Sequence, residues 1–217
     1  PLETACKTYY EATDGMLADG VKNFDVTDYM VVNPGFEAED PLTGWEGLNA
    51  SDIIANAEGT AHTVRKGGSN WRVSQTVDVP NGLYSMSAQI GYALSDRHYL
   101  FLESSYQRQQ LMYKWNGSSN EDSNENILAN WGADEEAQRS SVGNVLVTDG
   151  KIVMGVDWIK DTEVIAFDNF RLVRVSDGAA EIKNAYSSLK EEGEGFVETL
   201  PTVLKQQLQE ALAKSPE

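Results

Sequence analysis

In the stretch WRVSQTVDV, apolar Trp71, Val73, Val77 and Val79 alternate with polar Arg72, Ser74, Thr76 and Asp78. A period of two belongs to a strand with one buried and one wet face, not to a helix. The pattern returns in Tyr84, Met86, Ala88, Ile90 and Tyr92, with Ser85, Ser87 and Gln89 between them, and again in Ile152, Met154, Val156 and Trp158. Further strands are expected at 29–33, 99–103, 109–114, 142–148 and 164–175, and a hairpin at 53–57 and 61–66 across Glu58-Gly59. Pro34-Gly35, the run Gly67 to Asn70, Asn81-Gly82 and Asp149-Gly150 punctuate the series, and the last is the strongest hairpin signal. Many short strands separated by turn residues predict a mainly β sandwich. Two stretches bracket it, Asp25 to Trp45 and Phe167 to Val173. They are expected to supply the first and last strands and to close on each other.

Outside the brackets the period changes. Leu2, Cys6, Tyr9, Thr13, Met16 and Leu17 share a helical face, with Gly20 as a stop. Ile182, Ala185, Tyr186 and Leu189 share another, with Gly193 as its expected end. Thr199 caps a third helix carrying Leu200, Val203, Leu204, Leu208, Ala211 and Leu212. One short amphipathic helix cannot bury its stripe alone. The expectation is therefore an N-terminal helix at 1–24, a sandwich at 25–175, and C-terminal helices at 176–217 that pack with the first as a small appendage.

Charge and rare residues narrow the function. A formal net charge of -17 opposes nucleic acid and anionic membrane surfaces. Neutral partners or calcium fit it better, and an acidic surface also serves solubility alone. One cysteine, Cys6, excludes an internal disulfide, and two histidines make a His-rich metal site or a His-based triad a poor expectation. No apolar run reaches the roughly 18 residues of a membrane span. The chain opens at Pro1 without Met, as a piece of a longer protein with other domains would.

The segment from Trp115 to Ser141 breaks the strand rhythm, and a connection this long is usually functional or mobile. It carries Trp115 and Trp131 in polar surroundings, with Arg108, Tyr113, Asn116 and Asn130 near in sequence. Aromatic rings flanked by hydrogen-bonding side chains are what a saccharide needs; the alternative is that the two indoles pin the loop to the sandwich. Trp45, Trp71 and Trp158 read as core. Asp122 to Asn126 imitates an EF-hand start but fails, with Ile127 where glycine and Ala133 where glutamate are required. Asp157, Asp161 and Glu163 are an acidic group that a glycosidase could use, but a solvated acidic turn explains them as well. No nucleophile elbow, P-loop or dinucleotide fingerprint is present.

Asn33 to Glu37 (NPGFE), Gly44-Trp45, then Trp71, Gln75, Pro80, Gly82 and Tyr84, and finally FDNFRL at 167–172 after DGKIVMGV resemble, in that order, the galactose-binding-like β-sandwich modules. The match spans about residues 26 to 175. It implies a jelly-roll fold and carbohydrate binding, and with the flanking helices it resembles the secreted or cell-surface proteins with which bacteria forage for glycans. It further implies a structural Ca2+ held by Glu37 and Asp168 where the first strand's end meets the last strand. Fold alone does not settle function. Three readings stay open: a non-catalytic glycan-binding module, a spacer that binds no sugar, and, more remotely, a glycoside hydrolase.

Overall fold

The alternating segments become two antiparallel sheets stacked over one core. The computed structural model describes residues 22–55, 59, 61–93, 98–113, 136–158, 164–197 and 213. The strands are β1 (Phe24–Asp25), β2 (Ile53–Ala55), β3 (His62–Lys66), β4 (Trp71–Asp78), β5 (Gly82–Ala93), β6 (His98–Glu103), β7 (Arg108–Tyr113), β8 (Arg139–Val147), β9 (Lys151–Trp158) and β10 (Ile165–Ser176). One sheet runs β2-β3-β10-β5-β8, with β1 also on β10; the other runs β4-β9-β6-β7. Val73, Val77, Leu100, Leu102, Ile152, Met154 and Val156 of the second sheet meet Tyr84, Met86, Ala88, Ile90, Val145, Phe167 and Leu172 of the first in a single buried cluster. The mainly β sandwich expected from the alternation is the observed architecture, and it agrees with the jelly-roll that the resemblance implied.

The two bracketing stretches do close on each other. Phe24 pairs with Arg174 and Asp25 with Val173, and Val26 N donates to Leu172 O at 2.9 Å. The expected strand at 29–33 is not there, however. Thr27–Met30 is a short helical turn, α1. Asp25 Oδ1 accepts from Thr27 N at 3.0 Å and from Thr27 Oγ1 at 2.6 Å, and this local carboxylate bonding turns the chain before a strand can start.

The turn expected to make a hairpin, Asp149-Gly150, does something else, and so does the tight turn at Asn81-Gly82. Asn81-Gly82 and Asp149-Gly150 each join strands of opposite sheets, since β5 pairs with β10 and β8 while β4 and β9 pair with each other. Gly150, at φ +77°, supplies the left-handed residue that made the signal look like a hairpin. Its N–H donates to Asn81 Oδ1 at 3.0 Å and its carbonyl accepts from Val79 N at 2.9 Å, so the two corners pin each other. The expected β2-β3 hairpin forms, the expected strands β6 and β7 pair with each other, and Glu136–Gln138 is a short helical turn.

β10 carries a bulge. Phe167 and Phe170 both face the core, three positions apart instead of two, because Asn169 takes a left-handed conformation between them (φ +49°) and the register shifts between Asp168 and Arg171. Phe36, also left-handed at φ +57°, meets both rings at 6.2 Å. The Trp45 ring lies tilted, 5.1 Å from Phe36 and 4.6 Å from Phe170. The NPGFE, GW and FDNF motifs thus form one buried aromatic knot.

After Asp177 the chain passes into a second compact unit. Within it, α2 (Ala179–Val197) continues through Gly193, which was expected to end it. A glycine inside a helix costs only about 1 kcal/mol, which neighbouring turns tolerate. Of the N-terminal helix expected at 1–24, residues 1–21 lie outside the described residues and Phe24 belongs to β1 instead; the helix expected after Thr199 lies outside them at 200–212.

Candidate functional site

Leu100 and Leu102 of β6 face the core, so Tyr99, Phe101 and Glu103 point to the opposite, outward side of the four-stranded sheet. Strand pairing puts Arg72 and Asp157 in register with Tyr99, and Arg108 in register with Glu103. A phenylalanine on a wet face ought to be exposed, yet Phe101 is 0% exposed. Two guanidiniums cover it: Arg72 lies 4.2 Å and Arg108 4.5 Å from the ring centroid. Carboxylates hold them there. Glu103 Oε2 bridges Arg72 at 3.2 Å and Arg108 at 3.3 Å, and Asp157 Oδ2 takes Arg108 Nη2 at 2.7 Å. Arg108 Nε also donates to Gln110 Oε1 at 3.0 Å.

The result is a fixed layer of donors and acceptors over an aromatic floor, with two cations and two anions. Such a layer carries no strong field of its own and presents several oriented polar atoms within one face. Tyr99 is a half-buried ring beside it. Of the saccharide residues expected from the sequence, Arg108 is here. Tyr113 ends β7, but its side chain lies outside the described residues, as do Trp115, Asn116, Asn130 and Trp131 entirely. Arg72, Tyr99, Phe101, Glu103 and Asp157 were not singled out for this role. The available signal was the large ring at Phe101, on the polar side of the β6 alternation.

Trp45 and Trp158 are buried as expected, and Trp71 is half-buried against the core. His98 is fully buried, its ring 4.3 Å from Trp158 in a stack and 5.9 Å from Trp71.

The second candidate lies on the outward side of the six-stranded sheet. Glu37 and Asp168 approach each other around Gly35: a Cβ there would lie 3.8 Å from Glu37 Cγ, 3.8 Å from Asp168 Oδ1 and 3.0 Å from Asn169 Oδ1. Glu37 accepts from His62 N at 2.8 Å and faces His62 Nδ1 at 3.2 Å. Asp168 is buried and accepts from Asn169 N at 2.6 Å and Thr63 Oγ1 at 3.2 Å. Loss of hydration pushes its pKa up to about 8, against those two hydrogen bonds, and the Glu37 charge adds to the rise. Two carboxylates and an amide oxygen around a glycine fit a hard cation in charge and donor type, although about six to eight oxygens are needed. Backbone carbonyls would have to supply the remainder. No group of three or more His, Cys, Asp or Glu side chains converges among the described residues.

No helix among the described residues is long and apolar enough to cross a membrane. No family model matches the chain, and no curated protein matches it. Among solved structures the chain is similar to TmCBM61 in complex with beta-1,4-galactotriose, with 16% sequence identity and a TM-score of 0.48 over 71% of this chain and 99% of that one.

Proposed function

We propose that this protein is a non-catalytic glycan-binding module whose contact surface includes the outward face of the four-stranded sheet. The observation that carries the reading is the Arg72, Glu103, Arg108 and Asp157 layer fixed over Phe101. Sugar hydroxyls both donate and accept, and a charge-balanced set of held donors and acceptors matches them at little reorganisation cost. Trp115 and Trp131 would add ring stacking, with Asn116 and Asn130 as further hydroxyl partners. The resemblance of the strand motifs to glycan-binding modules agrees with this. It also supports the wider setting of a module in a secreted or cell-surface bacterial protein, beside other domains.

A glycan array on the intact chain tests it. Expected are one or a few hits lost in Arg108→Ala and in Tyr99→Ala, each with the fold retained by circular dichroism. Retention of those hits by both variants would overturn the assignment of this face. A clean negative would favour the spacer reading, which has its own support: Arg108 already satisfies two carboxylates and Gln110 within the protein. For the hydrolase reading, Asp157 is tied to Arg108, and Asp161 and Glu163 lie outside the described residues.

A calcium ion held by Glu37 and Asp168 is a second, structural proposal. Its support is the buried, proton-retaining Asp168 beside another carboxylate, an arrangement that a divalent cation would relieve.

A further inference from the structure

Strand register lays four outward side chains in one row across the four-stranded sheet. Arg72 of β4 pairs with Asp157 of β9, Asp157 with Tyr99 of β6, and Tyr99 with Met112 of β7. Arg108 and Gln110 share the outward face, so alternation along β7 puts Met112 there too. β4 and β7 are the outermost strands of this sheet. The row therefore crosses its full width, three strand spacings or roughly 14 Å. That is longer than one pyranose ring.

The two ends of the row differ in chemistry. Arg72 and Asp157 belong to the polar layer over Phe101, and Asp157 has capacity left. Its Oδ2 takes Arg108 Nη2 at 2.7 Å, whereas its Oδ1 is shielded from solvent and makes no hydrogen bond. A shielded carboxylate oxygen without a donor is costly to keep, and a ligand hydroxyl supplies one. At the other end Tyr99 is half-buried and Met112 is 40% exposed on an outermost strand. A thioether beside an aromatic ring makes an apolar floor next to these oriented polar groups. Apolar surface with a few placed polar groups is what holds a small ligand, and a sugar presents C–H faces and hydroxyl edges to match both.

We propose that this row takes an uncharged oligosaccharide of about three units or more, laid across the strands, with Met112 as a contact residue. One unit meets Arg72 and Asp157, and its hydroxyl donates to Asp157 Oδ1 after a small rotation of that carboxylate. The next units lie with their C–H faces over Tyr99 and Met112. Arg72 and Arg108 are already balanced by Glu103 and Asp157, so a charged sugar gains no net attraction and breaks pairs that the protein has made. The inference rests on the glycan reading of this face and adds to it the length and charge class of the ligand.

Calorimetry on the intact chain with galactose, glucose, mannose and xylose, and with their β-1,4-linked di-, tri- and tetrasaccharides, tests it. In at least one series the trisaccharide should bind about tenfold tighter than the monosaccharide. Trigalacturonate should bind no tighter than the neutral trisaccharide. Met112→Ala should weaken the trisaccharide severalfold with the fold retained by circular dichroism, and Met112→Leu, which keeps the apolar surface, should restore it. Equal affinity for mono- and trisaccharide, wild-type affinity in Met112→Ala, or tighter binding of trigalacturonate would each overturn the row; if Arg108→Ala still abolishes binding, the glycan reading of the face stands without it. Trisaccharide binding that survives Arg108→Ala would overturn the face and this inference together. No binding in any series would also overturn the row, and the glycan array decides the face separately.

Discussion

Trp45 and Phe170 lie 4.6 Å apart between ring centroids, and that contact ties the loop after α1 to the bulge of β10. The Trp45 Nε1 donates to Asn33 O at 3.0 Å, so the same indole also fixes the turn that aims Phe36 into the knot. A non-glycine residue in the left-handed region costs about 1 to 2 kcal/mol, and Phe36 offsets it by burying its whole ring. Removing a ring from this knot should therefore cost far more than its own contact area. Phe170→Ala is expected to lower stability by about 3 to 5 kcal/mol. Trp45→Phe, which keeps most of the packing and loses the hydrogen bond, should lose about 1 kcal/mol. Urea denaturation checks both, and equal losses would mean that packing against Phe170 is not what holds the closure.

Asp168 makes stability depend on pH in a direction opposite to most carboxylates. Its folded pKa of about 8 lies above the unfolded value near 3.9. The native state therefore holds one more proton than the unfolded state between those values. Stability is greatest near pH 4 and falls as pH rises toward 8, by at most about 1.4 kcal/mol per unit from this group. In chelator, Asp168→Asn should flatten that slope. Calcium should raise the melting temperature more at pH 8 than at pH 5, because only the ionised carboxylate is a good ligand. A slope that persists in Asp168→Asn would assign it to another group, and a melting temperature indifferent to calcium at both pH values would remove the ion from Glu37 and Asp168.

Gly47 is required by a close approach of backbone. It follows the Glu46–Ser74 bridge, has φ +81°, and a Cβ there would stand 1.9 Å from Arg72 O. Gly47→Ala should lose about 3 kcal/mol. Gly59, also at positive φ but with no described residue within 4 Å of its Cβ position, should lose about 1 kcal/mol as alanine. Thermal melts of the two variants separate the clash from the backbone preference.

Much of the sandwich was readable before any coordinates. Ile152, Met154, Val156 and Trp158 face inward because alternate residues of any strand point to opposite sides, whatever the strand pairs with. The closure of Asp25 on FDNFRL was likewise readable, whereas Glu37 and Asp168 were brought together only by the resemblance. Of the face proposed to meet saccharide, only Arg108 was singled out. Its significance comes from Arg72, Glu103 and Asp157, which stand on three other strands and meet only through sheet order.

The sequence by itself determined faces and turns, because side-chain period and left-handed φ are properties of a few consecutive residues. Partner choice was decided by the tertiary structure. Asp149-Gly150 makes the bend that its residues allow, but β8 finds β5 and β9 finds β4 and β6, since burying both inner faces outweighs pairing with the nearest neighbour in sequence. Phe101 is closed by arginines from β4 and β7, and Arg139 meets Arg171 across β5. Neither arrangement exists in any single stretch of chain, for each depends on where packing places strands that the sequence keeps far apart.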